Sequence, residues 1–407
     1  VFFYLYLAWR NIWRNKRRSI INIASVLFAV VVALGTRSMQ LGTYDRMIEN
    51  LVSYYTGYAQ VQHKGYNDTH SLDESFVANE AFVSHLQGAD RATSIAPRLE
   101  AFGLVCGDSA TMGAMLVGID PAREAEFSHL ARRVKQGAYL EAASRGVLIA
   151  AGLAEQLKLG LNDTIVVLSQ GYHGTTAAGK YAVEGIVDFP SPELNNRLIY
   201  LTLPTAQNLF ACENRLTSLA VMVKKSKHQL EMIESVKSLI RDDLKVLSWQ
   251  DLLPELLQYI QMDNASGVIW LIIIYMVIGF GILGTILMMT LERNREFGML
   301  IAIGMKRGSI RVIVLLESVI LSFIGAVAGA IVGAPILLYF FYNPIRFTGD
   351  MAQYMIQYGF EPVMPFSLEP MIFIWQTVSV LIIALVVAAY PLFKISKIDP
   401  VSALRTG

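Results

Sequence analysis

Four uncharged stretches interrupt the chain. Ser19–Thr36 (SIINIASVLFAVVVALGT) and Asn264–Leu291 carry no charge, Val312–Pro344 carries only Glu317, and Pro370–Phe393 carries none. At 1.5 Å rise per residue a 24-residue uncharged helix spans about 36 Å, against roughly 30 Å of bilayer hydrocarbon. Four such runs predict four transmembrane helices rather than core helices of a soluble domain. Between the first two the pattern shortens to alternations. Tyr58–His63, Gly113–Gly118, Thr164–Leu168, Tyr181–Val187, Leu198–Leu201 and Leu219–Val223 read as strands. Glu74–Leu86, Ala151–Lys158, Pro204–Phe210 and His228–Ile240 read as helices, with a stop at Leu159-Gly160. Met39–Tyr54 and Asp251–Thr290 read as stalk helices continuing the first two membrane helices outward.

The pattern predicts an α-helical membrane protein with four transmembrane helices and a large mixed α/β extracytoplasmic domain on helical stalks. The expected segments are 1–18, a basic amphipathic helix on the cytoplasmic face; 19–43, first membrane helix and stalk; 44–250, outer domain; and 251–291, stalk and second membrane helix. Then follow 292–311, a cytoplasmic loop; 312–343, third membrane helix; 344–369, outer loop; 370–393, fourth membrane helix; and 394–407, cytoplasmic tail. In the opening segment Phe2, Phe3, Tyr6, Trp9 and Trp13 interleave with Arg10, Arg14, Lys16, Arg17 and Arg18. The apolar part precedes the basic part, which suits a helix on a membrane surface rather than a cleavable leader.

Charge fixes the expected orientation. Residues 1–18, 292–311 and 394–407 together hold thirteen cations and three anions, whereas 343–369 holds Arg346 and three anions. The first set is expected inside and the connection outside, with both termini cytoplasmic. Of the whole chain 54% is hydrophobic and 16% charged, with net charge +1. That excludes global disorder and offers no basic stripe for nucleic acid. Two cysteines cannot staple 407 residues, although Cys106 and Cys212 could pair in an oxidising compartment.

No G-x-x-x-x-G-K-[ST] phosphate loop, G-x-S-x-G elbow or H-E-x-x-H pair occurs, so no catalytic site is assigned. The six histidines form no metal-ligand spacing, and no metal is expected. Arg37 has two readings, snorkelling to the outer interface or lining a polar path. Glu317 lies six residues past Arg311, suited to a structural pairing. Gly325, Gly329 and Gly333 recur every fourth residue, which lets helix backbones approach closely. On 292–311, Phe297, Leu300 and Ile301 fall at i, i+3, i+4 behind a charged collar. Such an apolar knob suits a groove on a soluble partner or, equally, a lipid surface.

At this segment the chain resembles the permease subunit of the MacB/FtsX/LolC–LolE family of ABC systems. Glu292-Arg293-Asn294-Arg295-Glu296-Phe297-Gly298-Met299-Leu300-Ile301-Ala302-Ile303-Gly304 follows the family's E-R-x-R-E-[IF]-G-x-L-x-A-[IL]-G. The closing Asp399-Pro400-Val401-Ser402-Ala403-Leu404-Arg405 and the opening Ala8–Arg18 resemble its two terminal motifs. Val117–Pro121, Leu159-Gly160 and Val183–Val187 fall in the family's order. The resemblance implies a bacterial inner membrane, a separate cytoplasmic ABC ATPase dimer that holds the ATP and magnesium, no cofactor in this chain, and a second permease copy or paralogue. It also implies that Arg295, Glu296, Phe297, Gly298, Met299, Leu300, Ala302, Ile303 and Gly304 form or flank the helix seated in that ATPase.

Length and topology fit the lipoprotein-releasing type best. The implied function is release of lipoprotein or another amphiphile from the outer leaflet by mechanotransmission, with membrane lipid and a periplasmic chaperone or adaptor as further partners. Phe28, Val32, Arg37, Met39, Ile274 and Ile278 are the expected lining of a cargo cavity. In LolC-type chains an apolar-tipped hairpin captures a lipoprotein chaperone; here the corresponding Ser169–Lys180 is short, without proline or methionine at its tip. The alternative is a MacB-like mechanotransmission permease that drives a periplasmic partner without cargo in the membrane. A ligand-binding sensor would not need the 292–304 segment.

Overall fold

A computed structural model describes residues 2–14, 16–107, 110–224, 226–357 and 360–396. The closing 399–405 motif lies outside them. The helices are α1 (Phe2–Arg14), α2 (Lys16–Leu51), α3 (Tyr66–Thr69), α4 (Glu80–Gln87), α5 (Pro121–Phe127), α6 (Ala151–Leu157), α7 (Pro192–Asn195), α8 (Leu203–Leu209), α9 (Gln229–Leu239), α10 (Trp249–Leu252), α11 (Pro254–Glu292), α12 (Asn294–Ala302), α13 (Arg307–Tyr342), α14 (Asp350–Gln357) and α15 (Pro370–Ser396). The strands are β1 (Ala59–His63), β2 (Phe76–Val77), β3 (Ala92–Cys106), β4 (Thr111–Ile119), β5 (Val134–Gly137), β6 (Val147–Ala150), β7 (Thr164–Gln170), β8 (Thr176–Val187), β9 (Leu198–Thr202), β10 (Arg215–Leu216), β11 (Ser218–Val223), β12 (Leu244–Ser248), β13 (Ile345–Arg346) and β14 (Val363–Met364). They fall into a helical unit (Val1–Asp45, Ile260–Arg346, Val363–Gly407) and a mixed α/β unit (Arg46–Tyr259 with Phe347–Pro362).

In the helical unit, α2, α11, α13 and α15 carry the segments long and apolar enough to cross a membrane. Phe28, Trp270, Phe280, Ile331 and Trp375 are exposed on them, an apolar surface that suits lipid. The core is built from small or branched residues: Val26, Ala29, Val30 and Ala33 on α2, Ala326 on α13, and Val380, Ala384 and Ala388 on α15. Small residues matter here because hydrocarbon is as apolar as leucine, so helices associate through close packing. Gly325 and Gly329 set the approach of α13 to α2. A Cβ at Gly325 would lie 2.7 Å from Val26 Cβ and 2.9 Å from the Ile23 carbonyl oxygen. At Gly329 it would lie 2.7 Å from Val30 Cβ and 2.9 Å from the Leu27 carbonyl oxygen. At Gly333 a Cβ would lie 3.0 Å from Leu34 Cδ1.

The α/β unit is organised by β3. This 15-residue strand pairs with β11 through its first half, with β4 from Arg98 onward, and with β7 through its last four residues. Because β7 also pairs with β8, the strands β3-β4-β9-β6-β8-β7 close into a ring of six. Leu99, Val105, Leu116, Ile149, Ile165, Val167, Val183 and Ile199 belong to its buried core. Beyond the ring, β11, β1 and β12 continue as an open sheet, where Val61, Leu219 and Val221 pack with Val83 and Leu86 of α4 and Met232 and Val236 of α9.

Several expectations need correction. The helix expected over Glu74–Leu86 starts only at Glu80, where the Asn79 side chain accepts the Phe82 amide at 2.9 Å. Before it, Phe76-Val77 is extended against β10, and Arg215 donates to Ser75 Oγ at 2.7 Å. The stalk expected from Asp251 is interrupted: α10 begins on a capping box at Ser248, Leu253 is non-helical, and α11 starts at Pro254. A proline at a helix's first position lacks an N–H that would go unused there, so it begins this helix instead of breaking it. α2 ends at Leu51 in a π-helical turn, Val52–Thr56, closed by Gly57 at φ +69°. Cys106 and Cys212 are free thiols, not a disulfide; burial pushes the Cys212 thiol up.

Where that π turn meets the sheet, Arg98 of β3 is fully buried. It donates to Glu124 of α5 at 2.6 and 3.0 Å and to the Tyr55 carbonyl. Its guanidinium lies 5.3 Å from the Tyr55 ring centroid and 5.1 Å from that of Phe127. Glu100, two residues on, accepts from Ser218 Oγ at 3.3 Å, while its other oxygen lies 3.9 Å from the Arg98 guanidinium and has no hydrogen-bond partner among the described residues. Burial raises the Glu100 carboxyl above the ordinary carboxylate range, although Arg98 pulls it down.

Two outcomes are expected for the full chain in detergent. Gly329→Val should destabilise it by about 1–3 kcal/mol through overpacking, read as a lower thermal midpoint, whereas Gly284→Val, with nothing within 4 Å, should not. Folding raises the Glu100 pKa, so its contribution is present below the unfolded value near 4.5 and is lost as pH rises through the raised value. Glu100→Gln should flatten that fall in a series of melts across pH; an unchanged profile would show that Glu100 does not cause it.

Candidate functional site

The expected coupling segment forms α12, a nine-residue helix set off by turns at both ends. Its C-terminal turn depends on Gly304, whose φ of +105° lies in the left-handed region. There the Gly304 amide donates to the Ile301 carbonyl and the Met305 amide to the Leu300 carbonyl, both at 3.0 Å. This bond pair satisfies carbonyls that a helix end otherwise leaves open. Met305 then packs beside Phe297, Ile301, Ile310 and Val314.

That packing alters the expected exposed set. Phe297 is only 3% exposed and Gly298 is buried, so Phe297 is a foot on α13 and not a knob for a partner. Ile301 is half-buried. The outward apolar residues are Met299, Leu300 and, at 80% exposure, Ile303. Ala302 and Gly304 are also exposed. Arg295 lies on α12, where only its backbone is described.

A chain of charges runs beneath this helix. Arg293, just before α12, donates to Glu317 of α13 at 2.7 Å; both are almost fully buried. Its Nε lies 3.4 Å from Glu296, and its guanidinium is 5.3 Å from the Phe297 ring. Glu296 also accepts from Arg14 of α1 at 2.6 Å, both side chains about half exposed. α1 is pinned to the start of α13 by Tyr4 and Ser309, 3.0 Å apart. The two ends of the chain differ in strength. Removing one partner of a buried pair costs roughly 3–5 kcal/mol, whereas an exposed pair contributes about 0.2–1 kcal/mol. Arg293–Glu317 therefore fixes α12 on α13, and Glu296–Arg14 is the weak, exchangeable link to α1. The sequence showed Glu317 as a pairing residue but not its partner, because Arg293 is 24 positions away and sits inside a charged cluster.

A second polar group joins α2 to α11. Arg37 donates to Gln40 at 2.6 Å and to Asn264 at 2.8 Å. Asp263 accepts from Tyr44 at 2.6 Å and Gln40 at 3.2 Å. Arg37 therefore makes cross-helix bonds beyond the snorkelling reading, and Gln40, Tyr44 and Asp263 are members that sequence reasoning missed. Of the other residues expected at a cargo cavity, Phe28 is exposed, Ile278 packs against the helical core, and Val32, Met39 and Ile274 are half-buried. Gly325, Gly329 and Gly333 are taken up by the α2 contact.

Similarity to known proteins covers both units. An FtsX-like permease C-terminal model matches residues 268–400, and a MacB-like periplasmic core domain model matches residues 19–239, more than half of the chain. The chain is 20% identical over 409 aligned positions to lipoprotein-releasing system transmembrane protein LolC from two strains of Xylella fastidiosa, covering 96% of each chain. Among solved structures it is similar to the extracellular domain of the noncanonic ABC-type transporter YknZ from Gram-positive bacteria, at 14% identity and TM-score 0.34, covering 46% of this chain and 98% of that one. It is also similar to the periplasmic region of MacB from Actinobacillus actinomycetemcomitans, at 15% identity and TM-score 0.36, covering 52% and 98%.

The charge chain has a direct test. Glu317→Ala should lower the thermal midpoint of the detergent-solubilised chain by the equivalent of about 3–5 kcal/mol. Arg293→Met added to it should recover part of the loss, and Arg14→Ala alone should cost about 1 kcal/mol or less. Equal losses for Arg14→Ala and Glu317→Ala would contradict the proposed hierarchy.

Proposed function

The chain belongs to the FtsX/MacB/LolC family of ABC transporter permeases, and from that premise we propose that it couples ATP hydrolysis in a separate ATPase to the release of lipid-anchored protein, or another amphiphile, from the outer leaflet. Family members partner with ABC ATPases and other subunits, and the family's membrane and periplasmic modules belong to the bacterial inner membrane. In this reading the α12 side of the chain is cytoplasmic and the α/β unit periplasmic. This chain performs no chemistry on ATP. Its task is mechanical: it accepts a displacement at one end and delivers it at the other.

The observation that carries the proposal is the outward face of α12. Met299, Leu300 and Ile303 present an apolar surface on an ordered helix, and in a permease of this family a soluble ATPase is the partner against which such a face would be buried. A push on this face reaches α13 through Phe297 and the Arg293–Glu317 pair, and reaches α1 through Glu296 and Arg14. On α13 the glycine contacts with α2 pass it on, and α2 runs into the π turn held by Arg98. Release of lipid-anchored protein is favoured over other cargo by the full-length likeness to LolC.

One observation favours the second reading, a permease that drives a periplasmic partner without cargo in the membrane. The β7–β8 turn is folded down and not projected. The Tyr172 amide donates to the Phe210 carbonyl at 2.8 Å, the His173 amide to Asp73 at 2.7 Å, and Arg215 lies 4.6 Å from the Tyr172 ring centroid. A turn held so closely does not act as a projecting apolar hook for a lipoprotein chaperone, which the second reading does not require.

Co-purification tests the coupling assignment. Leu300→Glu with Ile303→Glu should abolish retention of the ATPase while leaving the thermal midpoint within about 0.5 kcal/mol of wild type, since both positions are exposed. Retention of the ATPase by this double variant would sink the assignment. Native mass spectrometry of the intact complex then separates the two readings: bound acylated protein supports the first, and a bound periplasmic protein without it the second.

A further inference from the structure

Within the α/β unit a cleft of about 860 Å³ opens beside the β3–β4 hairpin, in the size range of small-molecule sites. Its apolar walls are Met47, Phe102, Met112, Tyr259, Ile356 and Phe360. Three chain segments besides the hairpin supply them, and each leads into an apolar membrane-length helix: Met47 from α2, Tyr259 from α11, and Ile356 and Phe360 from the stretch between α13 and α15. Phe102 is 63% exposed, an unusual position for a phenylalanine on the face of a soluble domain. Its outward direction is built in: a Cβ at Gly113 on the neighbouring strand would lie 2.5 Å from Phe102 Cζ, so the ring lies over a glycine chosen for space.

The walls are also held in place. Glu361 accepts from Asn50 at 2.9 Å and from Arg46 at 3.1 Å, which ties the 347–362 stretch to α2. The Tyr259 and Phe360 rings are 5.9 Å apart. The lining also carries three charged residues, Glu193, Arg197 and Glu255, all exposed. Arg197 forms no ion pair among the described residues. One unpaired cation with two carboxylates over apolar walls complements a headgroup that carries both a phosphate anion and an ammonium.

We propose that this cleft binds a zwitterionic phospholipid, with one acyl chain along Phe102, Met112 and Phe360, its phosphate at Arg197 and its ammonium at Glu193 and Glu255. The lining residues all belong to the α/β unit. The cleft would give an amphiphile a first resting place off the bilayer, which extends the release function proposed above and rests on it for its role, though not for binding. Two flexible methionines in the walls let the chain slide without a fixed register.

The test uses the full chain in nanodiscs, without its ATPase, so that binding is read independently of the coupling assignment. The probe is phosphatidylethanolamine with a photoreactive diazirine at one chain end, and crosslinked peptides are mapped by mass spectrometry. Labelling of peptides that contain Phe102, Met112 or Phe360 is expected beside the labelling of the membrane helices, which serves as internal reference. Phe102→Asp should lower cleft labelling about tenfold, and Arg197→Glu should lower it for phosphatidylethanolamine, both with the membrane reference unchanged. Both positions are exposed, so the chain should still fold, as a thermal melt would confirm. Labelling confined to the membrane helices would overturn the proposal. So would displacement from the cleft by a triacylated lipopeptide but not by unlabelled phosphatidylethanolamine, or protection of the cleft by self-association at higher protein concentration.

Discussion

A guanidinium without water around it must be given countercharge, hydrogen bonds and aromatic faces together, and Arg98 receives all three. Glu124 supplies the charge, the Tyr55 carbonyl a further acceptor, and the Tyr55 and Phe127 rings the flanks. These groups come from separate places: the end of the helix that leaves the membrane segment, the strand shared by both halves of the sheet, and α5. The charge is affordable in the interior only with every one of them in place. The end of α2 is therefore locked to β3 with the stringency of a buried ion pair, and the π turn at Val52–Thr56 is the local distortion that brings the Tyr55 carbonyl there.

The helical unit uses the same device at Arg293 and Glu317, again with an aromatic ring beside the guanidinium. α13 and α2 meet through close backbone contacts at Gly325 and Gly329. Packed interfaces and buried pairs do not deform gradually; they hold or they break. In the proposed function, such a permease would pass a movement on as a shift of whole helices.

The membrane helices were legible because an uncharged run of eighteen or more residues is a local property. The six strands expected in the α/β unit all have counterparts, since each is a short, largely apolar run and most are rich in β-branched or aromatic residues. β3 was missed for the opposite reason. Pro97, Arg98, Glu100 and Gly103 interrupt any apolar alternation, and their presence makes sense only once β4, β7, β11 and α5 are packed around them. Phe297 was misjudged because period alone cannot say which face of a short helix meets its own chain. That depends on Ile310 and Val314, which follow the turn. Polar networks were the least legible part. Their members are dozens to hundreds of residues apart, as Arg37–Asn264 and Arg46–Glu361 show.

The turn at Gly304 has a thermodynamic consequence. Both capping bonds of α12 are made within the chain, and its foot is already packed on α13. The proposed coupling helix is thus ordered within its own chain. Ordering on association costs about 0.5–1.5 kcal/mol for each immobilised side chain; the exposed side chains of α12 still carry that cost, but its backbone has already been ordered during folding. If the proposed ATPase seats here, the backbone ordering cost of this surface is already met, which suits a contact made and broken repeatedly.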